Sequence, residues 1–567
     1  MNKFNQINYI RPNIKELKID FNYLIKDLKK AKSYDRFKQI YLDSQESVLD
    51  FITSYMLSSI RNNIDTTDKF YEDEMKFFNN TLPKTMMLLK KLNKVLINSE
   101  YREKLEEDFG SQMFRITEAS LSTMKNRVIV NLIKENNLCT EYSKEAAACK
   151  TTFEGEECNF YGLLKHMESI DRQERKEAYC AWAGLYQKVS PRLDEIYDKL
   201  VRNRSKMAKK LGFKDYTTLA YLQRNRFDYK PEDIKKFRDN IKKYVVPVCE
   251  KLIEQQKDRL GIDEIKYYDE KILFTDGNAI PIGDREELVT KAQKMYRELS
   301  SETKEFFDFM VNYELFDLET KPNKHLGGYC TALPKYKAPF IFSNFNGTSA
   351  DIDVLTHEAG HAFEAFTAMR TQKIFNNCYS TSEINEIHSM AMEFFTYPWM
   401  KEFFGESVDK YYYSHLVDSI MVIPYIACVD EFQHKIYEIP NMSALKRREI
   451  WRELEKEYMP WRDYDGNEFL ENGGFWMQKQ HIFLYPFYYI DYALAQICVY
   501  ELYGRMKEDK EKAWNDYYEL CKAGGSKGYF ELLKLANLKN PFEEETMKEA
   551  IKVVTNELNL EEESIKL

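Results

Sequence analysis

Two histidines four residues apart, His357 and His361, bracket an acid in the string THEAGH. On a helix this spacing puts both imidazoles on one face, about one turn apart. Two imidazoles need that spacing to reach one tetrahedral zinc, at about 2.0–2.1 Å each. Glu358 lies beside the pair but off its axis, so it can reach a metal-activated water without taking a coordination position. It is the candidate general base. Ile352, Leu355, Ala359, Ala362, Phe363 and Phe366 form an opposite apolar stripe. The helix is therefore expected to be buried on one side and loaded with ligands on the other. Among only eight histidines, a chance match to this pattern is on the order of one in a hundred. Seven of the eight lie beyond residue 320, in keeping with one chemical centre in the C-terminal half.

A hydrolytic zinc needs a third protein ligand and an open position for water. The segment TSEINEIHSMAMEFF offers candidates. Ile384, Ile387, Ala391 and Phe394 make an apolar stripe, and Glu383, Glu386 and Glu393 lie on another face. His388 is a further candidate, off that face. Asp353, four residues before His357, is placed to accept the free ring N–H of a zinc-bound histidine. It would equally suit the start of a helix as an ordinary acid.

HEAGHAFEAF followed by EINEIHSMAMEF resembles the oligoendopeptidase F group of the thimet oligopeptidase-like zinc metallopeptidases. The likeness continues through GGYC (Gly327 to Cys330), PFIFSNFNGTSADIDVLTHE and HIFLYPFYYIDYALA, and is specific from about 200 to 540. In that family the third ligand is a glutamate 25 residues beyond the second histidine, which falls here on Glu386. Glu393, two turns on, would then support the ligands from behind. The family's catalytic histidine and tyrosines fall on His481, Tyr485, Tyr488, Tyr489 and Tyr492. Of these, Tyr489 and Tyr492 rank first as hydrogen-bond donors to the oxyanion. Tyr485 and Tyr488 join Gly327 and Gly328 as substrate-binding positions. This chain departs from the thimet branch in having IFLYP in place of a glycine-rich loop, with Tyr485 four rather than five residues after His481. If YPFYYIDY is helical from Pro486, Tyr485, Tyr489 and Tyr492 share one face. His481 would then sit on the loop before it. The resemblance implies a mainly α fold, in which two helical lobes flank a deep substrate channel with a small sheet beside the HExxH helix. On that analogy PFIFSNF would be an edge strand on which a peptide pairs.

Gly (20) and Pro (15) fall below their usual shares of roughly 7% and 5%, and 31% of residues are charged, so a helix-rich chain is expected. Residues 14 to 135 read as successive amphipathic helices. Asn136-Asn137 breaks the pattern, and TTFEGEECNFYGLL turns around Glu154-Gly155 like a small hairpin. Helical periodicity resumes from about 170 to 318. A soft boundary near 190 divides a helical N-terminal lobe, 1–190, from a catalytic domain, 191–567. The non-helical island 319 to 350 contains the strand PFIFSNF, ended by Asn346-Gly347. Thr348 and Asp351 are spaced for a capping box before the HExxH helix.

The net charge of −9 argues against nucleic acid or an anionic membrane as partner. No window approaches the roughly 18 apolar residues of a membrane span. The N-terminus lacks the apolar core of a signal peptide, and ten scattered cysteines suit a reducing, cytoplasmic setting. The expected activity is hydrolysis of internal bonds in short oligopeptides, with one zinc per chain. The alternatives are a zinc carboxypeptidase, which needs a cationic anchor, and a silent peptide-binding protein, for which Glu358 would be superfluous.

Overall fold

The computed structural model describes residues 1–560. It opens on three long helices, Ile14–Lys30, Tyr34–Ile64 and Lys69–Ile97. Each begins where Asn13, Ser33 or Asp68 accepts hydrogen bonds from first-turn amides. Their apolar stripes meet in a core of their own, built on Phe21, Leu28, Phe37, Tyr41, Phe78 and Leu92. A second, larger core gathers most of the remaining buried apolar residues. The mainly α architecture is as expected.

The expected break at Asn136-Asn137 does not occur. The helix Ile129–Ala147 runs through it, because Leu138 and Tyr142 on its inner face are buried. The hairpin does form, Thr151–Phe153 against Glu156–Cys158. Glu154 (φ 49°) and Gly155 (φ 85°) give the left-handed turn that suits two twisted strands. Residue 190 lies inside one 40-residue helix, Arg172–Leu211, so a lobe boundary drawn there cuts through a continuous element. That helix runs from the Asp171 cap to a left-handed Gly212.

The island folds into a three-stranded sheet. Its central strand is Ala338–Phe345, flanked by Phe316–Glu319 in parallel and Tyr329–Leu333 antiparallel. This corrects the sequence expectation: PFIFSNF is not an edge. The strand that contains it, Ala338–Phe345, is buried at all eight positions and paired on both sides. Its polar position Asn344 is used internally, donating to the carbonyls of His325 and Gly327 at 2.9 and 2.8 Å. The outer strand Tyr329–Leu333 faces the site instead.

The histidine helix, Ala350–Thr371, follows. The expected Thr348–Asp351 capping box is replaced by another arrangement. Asp351 accepts from the amides of Asn346 and Gly347, and Thr348 donates to the Asn346 side chain. The acidic helix, Ser382–Phe395, crosses the histidine helix at Gly360. A Cβ there would lie 2.5 Å from the His388 carbonyl oxygen and 2.6 Å from the Ser389 Cα, so only glycine permits this approach. Two further buried helices bear on the site: Ile490–Glu508 lines it through Tyr492, and Val408–Glu438 places His415 behind Glu393.

Contrary to the sequence expectation, Ser382–Glu438 includes one 18-residue window, of mean hydropathy 1.2, that passes as a membrane span by length and composition. Of that window 67% is buried inside the protein, where its apolar side chains pack into the core.

Candidate active site

His357 and His361 project from one face of their helix, ring centroids 5.1 Å apart and nearly perpendicular. From the neighbouring helix, the fully buried Glu386 directs Oε2 between them, 3.3 Å from the Nε2 of each. These donor atoms lie within 4.8 Å of one another. Burial alone would raise the Glu386 carboxyl; the charge of His361 and hydrogen bonds from both imidazoles hold it well below its ordinary range. Two imidazole nitrogens and one carboxylate oxygen converge here and fit a single metal ion.

Glu358 is buried beside this set, with Oε2 lacking any hydrogen-bond partner. Burial raises its pKa, against the pull of the two histidines. Gly328 faces it: a Cβ at 328 would come within 3.5 Å of Glu358 Oε1 and 3.0 Å of Val354. Glycine here keeps the space in front of the carboxylate open. At Gly327, φ is +89°, and a Cβ would collide with Gln480 at 2.8 Å.

Behind the ligands runs a chain of hydrogen bonds. His357 Nδ1 meets Glu393 Oε1 at 2.7 Å, Glu393 Oε2 meets His415 Nε2 at 2.6 Å, and His415 Nδ1 meets the Tyr397 hydroxyl at 2.5 Å. Burial disfavours the Glu393 charge, but the two histidines prevail and hold its pKa down. Glu393 thus bridges His357 and His415. Asp353 does not take the place expected of it: its carboxylate accepts from Tyr411 at 2.8 Å, not from a ligand histidine. Burial pushes Asp353 up to about 7. His388 is fully buried against Tyr517, and burial takes it down to about 3. Glu383 points elsewhere, towards Arg226 and Asp491.

The tyrosine segment departs most from expectation. His481 sits on a short helix, Gln480–Leu484, rather than a loop, and the next helix starts at Ile490, not at Pro486. Between them Phe487 adopts φ 63°. Distant groups hold this turn: Arg224 donates to the Pro486 carbonyl, Arg226 to that of Phe487, and Gln433 accepts from the Phe487 amide. Tyr488 donates to Glu386 Oε1 and stacks on His481 with centroids 5.8 Å apart. Tyr492 lies 6.4 Å from His357 and 5.9 Å from His481, centroid to centroid.

A cavity of about 360 Å³ holds this site. Gly328, Glu358, His481, Tyr485, Tyr488 and Tyr492 line it, with the three ligand residues. Tyr489, ranked first from sequence, does not. It packs against Tyr425 and faces an adjoining cavity. Sequence reasoning also missed Arg224, His415 and Gln433. For His415 the available signal was the crowding of histidines after residue 320.

Residues 4–124 match the peptidase M3 N-terminal domain and residues 165–551 match peptidase family M3. These matches part between 124 and 165, upstream of the boundary expected at 190. The chain is 24% identical to an oligoendopeptidase F homolog of Borreliella burgdorferi over 381 residues, covering 64% of this chain and 61% of that protein. It is 25% identical to the chromosomal oligoendopeptidase F of Lactococcus lactis subsp. cremoris over 383 residues, 65% of this chain and 60% of that one. The chain thus spans about six tenths of the length of these curated relatives. The solved structure of PZ peptidase A with an inhibitor superposes with a TM-score of 0.97 at 44% identity, covering 99% of this chain and 100% of that one. The chain belongs to peptidase family M3, as its resemblance to the oligoendopeptidase F group implied.

Proposed function

We propose that the protein is a zinc-dependent endopeptidase that cleaves internal bonds of short oligopeptides, with one zinc per chain held by His357, His361 and Glu386. One observation carries the reading: both Nε2 atoms and Glu386 Oε2 converge beside Glu358, whose Oε2 has no partner. When bound, zinc would supply Lewis acidity to the peptide carbonyl and make a water acidic enough to attack it. Glu358 takes the proton of that water and returns it to the leaving amine. Burial raises its pKa, which makes it a better proton acceptor than an exposed carboxylate.

Glu393 fixes the His357 ring so that Nε2, not Nδ1, faces the ligand set. Tyr492 lines the cavity beside His357 and stays a neutral donor, since burial raises its pKa well above 10. It is the first candidate to donate to the oxyanion. Tyr488 holds Glu386 and so acts first on the ligand. The outer strand Tyr329–Leu333, part of the cavity wall, is the edge on which an extended peptide would pair. Oligopeptides are the substrate class, and the cytoplasm is the compartment we infer. The test is zinc content together with cleavage of a quenched peptide. Wild type and Glu358→Gln should bind one zinc each, and only wild type should cleave. Cleavage by wild type stripped of zinc to the same extent would overturn the reading.

A further inference from the structure

The adjoining cavity, about 380 Å³, shares Leu326, Gln480 and His481 with the metal cavity, so the two lie side by side across these residues. Its wall is largely aromatic, with Tyr161, Trp182, Tyr186, Tyr267, Tyr425 and Tyr489. Five charged side chains line it. Four cancel in pairs: Arg462 with Glu270 at 2.7 Å, and Lys271 with Asp418 at 2.9 Å. The fifth, Lys479, makes no ion pair among the described residues. Its ammonium lies 4.4 Å from the Tyr489 ring centroid and 5.4 Å from that of Tyr425. The Lys479 amide is tied to the Trp476 carbonyl at 3.1 Å, which fixes the base of the side chain.

Two aromatic faces shield part of this ammonium from water and leave its remaining donors for another partner. His481, two residues on, adds no compensating charge. The chamber therefore holds one unmatched positive charge at the junction with the metal site. A peptide bound across the metal site would have this chamber next to it, beyond Gln480 and His481.

We propose that the second cavity is a carboxylate subsite, in which Lys479 receives a carboxylate of the bound oligopeptide. Two sources share that chemistry: the C-terminal α-carboxylate and an Asp or Glu side chain near the end. The first would make the enzyme measure the distance from the cut bond to the C-terminus. The inference rests on the peptidase reading above. It also locates a cationic group that the sequence alone did not place.

Three quenched peptides of one sequence test it: a free acid with neutral side chains, its C-terminal amide, and that amide with Glu as the last residue. Wild type should prefer one of the carboxylate peptides over the plain amide by about 10-fold to 100-fold in kcat/KM, as expected for a charge-assisted hydrogen bond. The preferred peptide identifies the source. Lys479→Met should lose the preference while cleaving the plain amide as wild type does, and Lys479→Arg should restore it. Equal cleavage of all three by wild type, or a preference that survives Lys479→Met, overturns the subsite and leaves the peptidase reading intact. Calorimetric binding of the three peptides to Glu358→Gln, with and without Lys479→Met, decides the subsite without turnover. If no peptide is cleaved but this binding preference depends on Lys479, the peptidase reading fails and the subsite stands.

Discussion

Glu383 and Glu386 stand three residues apart on one helix, both buried, with opposite fates. Glu386 faces two imidazoles and stays ionised despite its burial. Glu383 faces Asp491 as well as Arg226, and burial with the like charge raises its pKa. The same residue type on the same helix is a candidate ligand on one side and a reluctant acid on the other. What surrounds a carboxylate decides its role, and that is set by elements remote in sequence.

Glu386→Ala should lose zinc and, with it, essentially all activity, whereas Glu383→Gln should keep both. Metal content after dialysis measures this, and zinc retained by Glu386→Ala would refute the assignment. Glu358→Gln should retain zinc and lose activity by about 10²–10⁴, the range for a general base.

The tyrosines extend the contrast to the other wall. Tyr492→Phe should cost about 10²–10³ in kcat at unchanged zinc content, as for a lost oxyanion donor. Tyr488→Phe should also loosen zinc, because it unpins Glu386. Tyr489→Phe should spare kcat, and a loss there equal to that of Tyr492→Phe would restore the order read from sequence.

His415→Gln and Glu393→Gln test the support behind His357. Each should weaken zinc binding by about 10-fold to 100-fold with the fold intact, the usual effect of removing a group that orients a ligand. A competition titration against a chelator reads this, and unchanged affinity in both would make the chain of hydrogen bonds merely structural.

The smallest expected effect is the pH dependence of Glu383. Its folded pKa lies above the unfolded value of 4.5, so its stabilising contribution is complete below that value and fades as pH rises towards about 8. Glu383→Gln removes the ionising group, so its melting temperature relative to wild type should increase between pH 5 and pH 8. A constant or falling difference would show that Arg226 alone governs this carboxylate.

The site was legible where its logic is local. The spacing of His357, Glu358 and His361 follows from helical periodicity, and the apolar stripe beside it is buried as read. Glu386 stood in sequence as one of three equivalent acids, and only family likeness singled it out. The tyrosine turn was misread because Pro486 suits the first turn of a helix. Arg226, from the loop after the helix Tyr216–Gln223, and Gln433, from the helix Val408–Glu438, instead hold Phe487 in a left-handed conformation, and the helix waits until Ile490.

By itself the sequence determined which residues lie on one face of a helix, because side-chain direction repeats every 3.6 residues and needs no partner. It likewise marked the strand Ala338–Phe345 by its alternation and its Asn-Gly end. Only the tertiary structure decided that this strand is central, that Tyr488 reaches Glu386, and that His415 backs Glu393 from another helix. It also decided that Lys479 faces a chamber in which it makes no ion pair among the described residues. These are pairings across long stretches of chain, set by packing and by the hydrogen bonds that buried polar groups must find. No local pattern encodes them, since each partner is defined only once the helices between them have docked.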